Sequence, residues 1–213
     1  MSSVIIYSGG MDSSVLLHLR RTDIVTAITF QYGSKHNVRE LESARANCMA
    51  LGIEHKVVHL DFVADLFRSD LLQSGGSIPE GHFEDEIMRS TVVPFRNGIM
   101  LSIATGIAES MDCNEVLIAN HAGNHAIYPD CRALFIRAMG MAMTEGTFSH
   151  IQLTAPFIRM TKREIALEGK RIGMDFGLTY SCYKGGPIHC GKCGTCTERK
   201  EALAGFDTTE YMA

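Results

Sequence analysis

Three groups of residues in this chain have the types and spacing to do chemistry. The first is Ser8-Gly9-Gly10-Met11-Asp12-Ser13-Ser14, which follows the apolar run Val4-Ile5-Ile6-Tyr7. A strand that empties into paired glycines at a helix start is a cradle for phosphate. Glycine lets the backbone approach an anion closely, and the first helical amides offer free N–H groups and a partial positive charge. Ser8, Ser13 and Ser14 add hydroxyl donors to the same oxygens. No Gly-Lys-Ser/Thr follows the glycines and they are not spaced as G-x-G-x-x-G, so the loop is neither a Walker loop nor a dinucleotide fingerprint. A plain serine–glycine turn after an edge strand is the competing interpretation.

The second group is Cys182, Cys190, Cys193 and Cys196, spaced C-x7-C-x2-C-x2-C, with Gly191 and Gly194 directly behind two of the sulfurs. Cys-x2-Cys turns let two thiolates converge on one ion, and the glycines leave room for a tight path and for N–H···S bonds. Four sulfurs close a tetrahedral Zn2+ site with no open position, a structural role that would pin the tail against the sheet. A cubane iron–sulfur cluster also uses C-x2-C-x2-C, with its fourth cysteine downstream and before a proline rather than upstream as here. Unliganded or paired cysteines are the third option. Cys48 and Cys113 read as packed thiols, and Cys131 is open between a role in the Tyr128-Pro129-Asp130-Cys131-Arg132 turn and a buried cap residue.

The third group is dispersed. Lys162, after a capping Thr161, sits in the first turn of a predicted helix, where it opposes the helix dipole; an anionic ligand such as a triphosphate accounts for it better than a solvated surface position. Val93-Pro94-Phe95-Arg96-Asn97 sets an arginine, able to grip phosphate or carboxylate, at a proline-stiffened turn before a helix that Asn97 can cap. A pairing of Arg96 with one of the chain's acids is the alternative. Gln31-Tyr32-Gly33-Ser34-Lys35-His36 and Asn120-His121-Ala122-Gly123-Asn124-His125 offer aromatic, imidazole and amide groups suited to a planar heterocycle. A second metal on His36, His121 and His125 lacks the helical His-x3-His pair or facing carboxylates it would need.

These groups need a frame. Apolar runs and helical patterns alternate: strands near 3–7, 24–30, 53–60, 115–119 and 151–154, and helices near 13–21, 38–51, 97–110, 131–144 and 161–172. Leu41, Ala44, Cys48 and Leu51 recur on one face of the second helix, which Gly52 ends. A polar stretch at 68–90, with Ser74-Gly75-Gly76-Ser77 and Glu84-Asp85-Glu86, reads as a mobile loop. Repeated crossovers imply an α/β fold: a doubly wound parallel sheet of about five strands, helices on both faces, and ligands beyond the carboxyl ends of the strands. The expected division is 1–178 for the nucleotide-binding part and 179–213 for the cysteine segment packed on it. The 213 residues are 46% hydrophobic and 21% charged with a net charge of −4, which favours a soluble protein with no membrane span and no direct contact with nucleic acid. A chain that enters a strand at once, with no basic and apolar leader, is expected in the cytoplasm.

SGGMDSS resembles the pyrophosphate (PP) loop S-G-G-x-D-S of ATP pyrophosphatases. Together with YGSKH, VPFRN, YPDCR, the MTKRE helix start and the four-cysteine tail, it is similar to the 7-cyano-7-deazaguanine synthase family of the queuosine pathway, from about Val4 to Leu203. The resemblance implies an adenine nucleotide alpha-hydrolase-like fold, with Ser8, Gly9, Gly10, Asp12, Ser13 and Ser14 binding ATP; Met11 and Phe30 join that set. It further implies that the four cysteines bind zinc and that Lys162 lies on the phosphate side. The chain departs from the family pattern at Phe95, where Gly or Asn is frequent, and at Asn124, where an acid is common. The implied reaction takes 7-carboxy-7-deazaguanine and ammonia to the 7-nitrile with ATP and Mg2+, with Asp12, Lys162 and Arg96 as the catalytic set. Tyr32, Lys35, His36, Arg96, Asn97, His121, His125, Asp130 and Arg132 are the substrate-side candidates, and relatives imply a homodimer. A sulfur-inserting tRNA modifier on the same loop and a module that senses ATP without cleaving it are the other functions weighed.

Overall fold

The computed structural model describes residues 2–82, 85–125 and 127–212, with only the backbone at Asn124 and His125. Five parallel strands, β1 (Ser3–Ile6), β2 (Ile24–Gln31), β3 (Glu54–His59), β4 (Glu115–Leu117) and β5 (Gln152–Thr154), form one sheet in the order β3-β2-β1-β4-β5. The order reverses at β1, the switch point where doubly wound sheets open a ligand crevice. Every strand and helix expected from periodicity is present, with ends shifted by one to a few residues.

Successive residues of β1 point to opposite faces, so Val4 and Ile5 seed two different cores. Val4 packs with β2 residues and with α4 (Arg96–Ser110) and α5 (Ala133–Glu145) through Leu101, Ala104 and Ile136. Ile5 packs with α1 (Met11–Leu19), α2 (Asn37–Leu51) and α6 (Lys162–Arg171) through Val15, Ala44 and Ile165. With both faces covered, β1 reads as a continuous apolar run. Thr161 caps α6 as expected, in a reciprocal capping box with Glu164.

Two helices carry no signal in the periodicity: α3 (Asp61–Leu66) and α7 (Gly194–Ala202). The stretch expected to be a mobile loop is anchored instead. Leu71, Leu72 and Met88 are buried, a 3₁₀ turn runs Glu86–Thr91, and Lys35 Nζ donates to the carbonyls of Asp70 and Leu72. Glu84 of that stretch lies outside the described residues. The C-terminal segment shares the cores of the sheet: all four cysteines belong to the Val4 core and Leu203 to the Ile5 core. Arg199, fully buried on α7, locks it in place by donating to Phe176 O, Thr179 Oγ1, Ser181 Oγ and Thr209 Oγ1. No helix among the described residues is long and apolar enough to cross a membrane.

Candidate active site

The carboxyl ends of the central strands open into one cleft whose two ends differ in chemistry. At the first end, α1 begins at Gly10 with no side-chain cap, so its leading amides are left for an anion. Ser8 Oγ accepts from Gly10 N at 3.1 Å and pairs with Ser13 Oγ at 3.0 Å, and Ser8, Gly10, Met11, Asp12 and Ser13 all line the cleft. Two members of the predicted loop set do not. Gly9 has φ +83°, and a Cβ there would lie 2.4 Å from Glu40 O and 2.8 Å from Ala44 N, so the approach of α2 alone requires its glycine. Ser14 turns its hydroxyl inward, 2.9 Å from the Tyr7 hydroxyl, because α1 has already buried that side.

Lys162 projects from α6 into this end and bridges two carboxylates, Asp12 Oδ2 at 3.1 Å and Glu198 Oε2 at 2.8 Å. His121 Nε2 lies 3.6 Å from the same Asp12 oxygen, which places this histidine beside the loop. Burial pushes the Asp12 carboxyl up, but Lys162 and then His121 outweigh it and hold the group below the usual carboxylate range. Burial likewise disfavours the Lys162 charge, and Asp12 and Glu198 reverse that, raising it above its ordinary value. The dipole opposing Lys162 is therefore answered within the protein by two acids as well as by any anionic ligand. The second oxygen, Asp12 Oδ1, is buried and accepts no hydrogen bond among the described residues.

The second end is aromatic. Arg96 Nη1 donates to the Tyr32 hydroxyl at 2.9 Å with its guanidinium 5.5 Å from the ring centroid. The His36 ring lies 5.2 Å from that of Tyr183, and His36 Nε2 is 3.3 Å from Glu40 Oε2. Burial opposes the Arg96 charge, but the neighbouring Tyr32 and Tyr183 oxygens and Asp130 offset it and raise the group above its usual range. Burial pushes Glu40 up to about 8 and His36 down to about 3, so both are mostly neutral at neutral pH. Phe30 and Asn97 also line the cleft.

Three of the substrate-side candidates have other employment. Lys35 ties down the 70–72 segment. Asp130 accepts from Asn97 N at 2.8 Å and so does the capping at α4 expected of Asn97, whose own amide donates to Asp130 O and Cys131 Sγ. Arg132 is exposed ahead of α5 and does not line the cleft. The side chains of Asn124 and His125 lie outside the described residues. The residues that sequence reasoning misses are Glu40, Tyr183 and Glu198. Glu40 has a signal, one helical turn after His36; Tyr183 and Glu198 are hidden beside Cys182 and Cys196, in a segment read only for metal.

The four cysteine sulfurs lie within 4.8 Å of one another and are all buried. Backbone N–H groups of Cys190, Lys192 and Cys193 point at Cys182 Sγ or Cys190 Sγ, at 3.3–3.5 Å. Metal–thiolate bonds of ~2.3 Å in a tetrahedron place sulfurs ~3.8 Å apart, and Cys190 Sγ and Cys196 Sγ are 3.9 Å apart. Thiolates this close repel one another, so a cation is what allows all four to ionise. The residues fit a closed, structural metal site.

Sheet order, loop and cleft together define a nucleotide-binding α/β protein of the PP-loop class. The fold is similar to that of NMN synthetase from Francisella tularensis, with a TM-score of 0.50 at 13% identity over 88% of this chain and 69% of that one. The family model described as queuosine biosynthesis protein QueC matches residues 2–207, and the chain belongs to that family. The 7-cyano-7-deazaguanine synthase of Porphyromonas gingivalis is 56% identical over 98% of this chain and 96% of its own. That of Desulfotalea psychrophila is 49% identical over 100% and 99%.

Proposed function

We propose that this chain is an ATP-dependent carbon–nitrogen ligase that converts 7-carboxy-7-deazaguanine and ammonia to 7-cyano-7-deazaguanine. The observation that carries the reading is the pairing, in one cleft, of an uncapped phosphate loop with an aromatic pocket holding a charged arginine. A carboxylate becomes a nitrile only when both its oxygens leave. ATP turns one carboxylate oxygen into a leaving group by bonding it to phosphorus; ammonia adds to the carbon, that oxygen departs with the phosphorus, and the amide remains after proton loss. A second activation takes the amide oxygen the same way, and loss of both N–H protons gives the nitrile.

The protein's part is positioning and charge. The α1 amides with Ser8 and Ser13 cradle the transferred phosphates, Lys162 meets charge developing on phosphorus, and Arg96 with Tyr32 orients the substrate carboxylate. Asp12, through its unpartnered Oδ1, is the residue to hold Mg2+ carried in with ATP, which neutralises phosphate charge. Cys182, Cys190, Cys193 and Cys196 hold Zn2+ as a structural clamp, and the 179–213 segment serves as its carrier. Ammonia is the second small-molecule partner. The enzyme works in the cytoplasm as a homodimer.

Mass spectrometry of products from the purified chain with 7-carboxy-7-deazaguanine, ammonium, Mg2+ and ATP tests the reading. The nitrile is expected, lost in Lys162→Met. Amide alone would assign a different end product, and an absence of ATP-dependent change would overturn the ligase.

A further inference from the structure

The aromatic end of the cleft contains an acid that the reaction above leaves unused. Glu40 sits in the first turn of α2 and lines the cleft with Tyr32, His36, Arg96 and Tyr183. Its side chain is 14% exposed and that of His36 3%, and the two are joined at 3.3 Å through Nε2. The other ring nitrogen, His36 Nδ1, is buried and makes no hydrogen bond among the described residues. The pair is not a surface ion pair, because neither member is free to be solvated. A buried acceptor without a partner is costly, and a ligand that supplies the partner recovers that cost.

The chemistry of the pair states what kind of ligand edge fits. With the proton on Nε2, 3.3 Å from Glu40 Oε2, His36 leaves Nδ1 as a lone-pair acceptor, and an ionised Glu40 keeps lone pairs of its own. The corner then offers acceptors only. Its complement is a heterocycle edge made of adjacent N–H groups, as a ring N–H beside an exocyclic amine. Donors brought by such a ligand favour the ionised form of the acid, which burial alone disfavours. The donors of this end, Arg96 and the Tyr32 hydroxyl, are already joined to each other and suit the carboxylate on the substrate.

We infer that Glu40, oriented by His36, reads the N–H edge of the substrate's heterocycle and selects a 2-amino-4-oxopyrimidine ring over rings lacking the amine. The assignment rests on the ligase reading above. It makes Glu40 a specificity residue and His36 a positioning residue. A site built to hydrogen-bond a group rejects the analogue that lacks it far more strongly than an apolar pocket can, because the polar atoms of the site are then stranded.

Calorimetric binding of 7-carboxy-7-deazaguanine and of its 2-desamino analogue to the full-length protein tests this, with ATP binding measured alongside to establish that each variant is folded. The wild type is expected to prefer the amino base by roughly 100-fold or more. Glu40→Gln, which is nearly isosteric but presents a donor, should weaken the amino base by about 10- to 100-fold, weaken the desamino base, which keeps only the ring N–H, by clearly less, and leave ATP little changed. His36→Ala should narrow the preference in the wild type and add nothing in the Glu40→Gln background. Equal weakening of both bases by Glu40→Gln, or of neither, would overturn the assignment. A wild type that binds both bases alike would overturn it while sparing the ligase, and a wild type that binds neither would overturn both.

Discussion

The two ends of the cleft solve the problem of burying charge in opposite ways. At the phosphate end, Asp12 and Lys162 stay ionised because they lie 3.1 Å apart, and Glu198 reinforces the lysine from 2.8 Å. At the aromatic end, Glu40 and His36 are driven toward neutrality by burial and Arg96 keeps its charge. The difference fits the ligands proposed for them. A triphosphate needs fixed charges whose positions do not depend on its arrival, and a flat, largely uncharged base needs walls and hydrogen-bonding edges. Both ends draw on the same C-terminal segment: it lends Glu198 to one and Tyr183 to the other.

That shared origin gives the largest expected effect. Cys193 is fully buried in the core that contains β1, so Cys193→Ser is expected to release the metal and destabilise the whole domain by several kcal/mol, on the order seen when buried structural sites are broken. Metal analysis and a melting curve check it. If the metal were lost while the melting temperature and both binding functions persisted, the segment would not be the support for the two ends.

Next in size is a crossover. Lys162→Met should lower kcat by about 10²- to 10³-fold and leave base affinity alone, since the role proposed for Lys162 is on phosphorus. Arg96→Lys, which breaks the planar fork over Tyr32, should raise the KM for the base about tenfold or more and leave ATP binding alone. Steady-state kinetics against each substrate separates them. If either variant moved both parameters equally, the division of labour between the ends would fail.

The pH dependence of stability sharpens the contrast. Glu40 is raised to about 8 from an unfolded value near 4.5, so the folded state holds the extra proton between those limits and stability falls as pH rises through them. His36 is lowered to about 3 from 6.5, so the unfolded state holds the extra proton there and stability rises with pH across that window. The two slopes cancel between 4.5 and 6.5. Above 6.5 only Glu40 of the pair acts, and the wild type should lose up to about 1 kcal/mol per pH unit toward pH 8 relative to Glu40→Gln. Parallel melting curves at about pH 6 and about pH 8 measure it, and a constant gap between the two proteins would refute it.

The phosphate end is far more legible in sequence than the aromatic end, for a physical reason. Its donors come from contiguous residues at a strand-to-helix turn, a motif whose function is local backbone geometry. Lys162 stands out because it violates a helix rule. The aromatic end is assembled from α2, α4 and the C-terminal segment, so no window of sequence contains it. Lys35, Asp130 and Arg132 look like ligand residues because loops at strand ends are rich in polar groups, yet polar groups there also satisfy backbone, as Asp130 does for Asn97. The strands and long helices are readable because each has one buried face or two. The six-residue α3 has no periodicity long enough to register, and α7, Gly-Thr-Cys-Thr-Glu-Arg-Lys-Glu-Ala, is as long as α1 but mostly polar, with no apolar stripe to read.

Phe95 links the aromatic end to its scaffold and carries the smallest expected effect. It holds φ +53° and ψ 25°, a left-handed conformation ahead of Arg96 that suits Gly or Asn better than Phe. The conformation costs ~1–2 kcal/mol in a residue with a Cβ. Edge-to-face contact with Phe135, at 5.6 Å between centroids, returns ~0.5–1.5 kcal/mol. The terms nearly offset, so Phe95→Asn should shift stability by less than about 1 kcal/mol. A second consequence is sharper. The three atoms nearest to a Cβ built on Gly98 all belong to the Phe95 ring, the closest at 2.3 Å. Gly98→Ala should therefore destabilise the wild type, yet in the Phe95→Asn background, where the ring is gone, it should stabilise by up to ~1 kcal/mol from helix propensity alone. Thermal denaturation of the four proteins of this cycle decides it: additive effects would mean that the ring does not shape the start of α4.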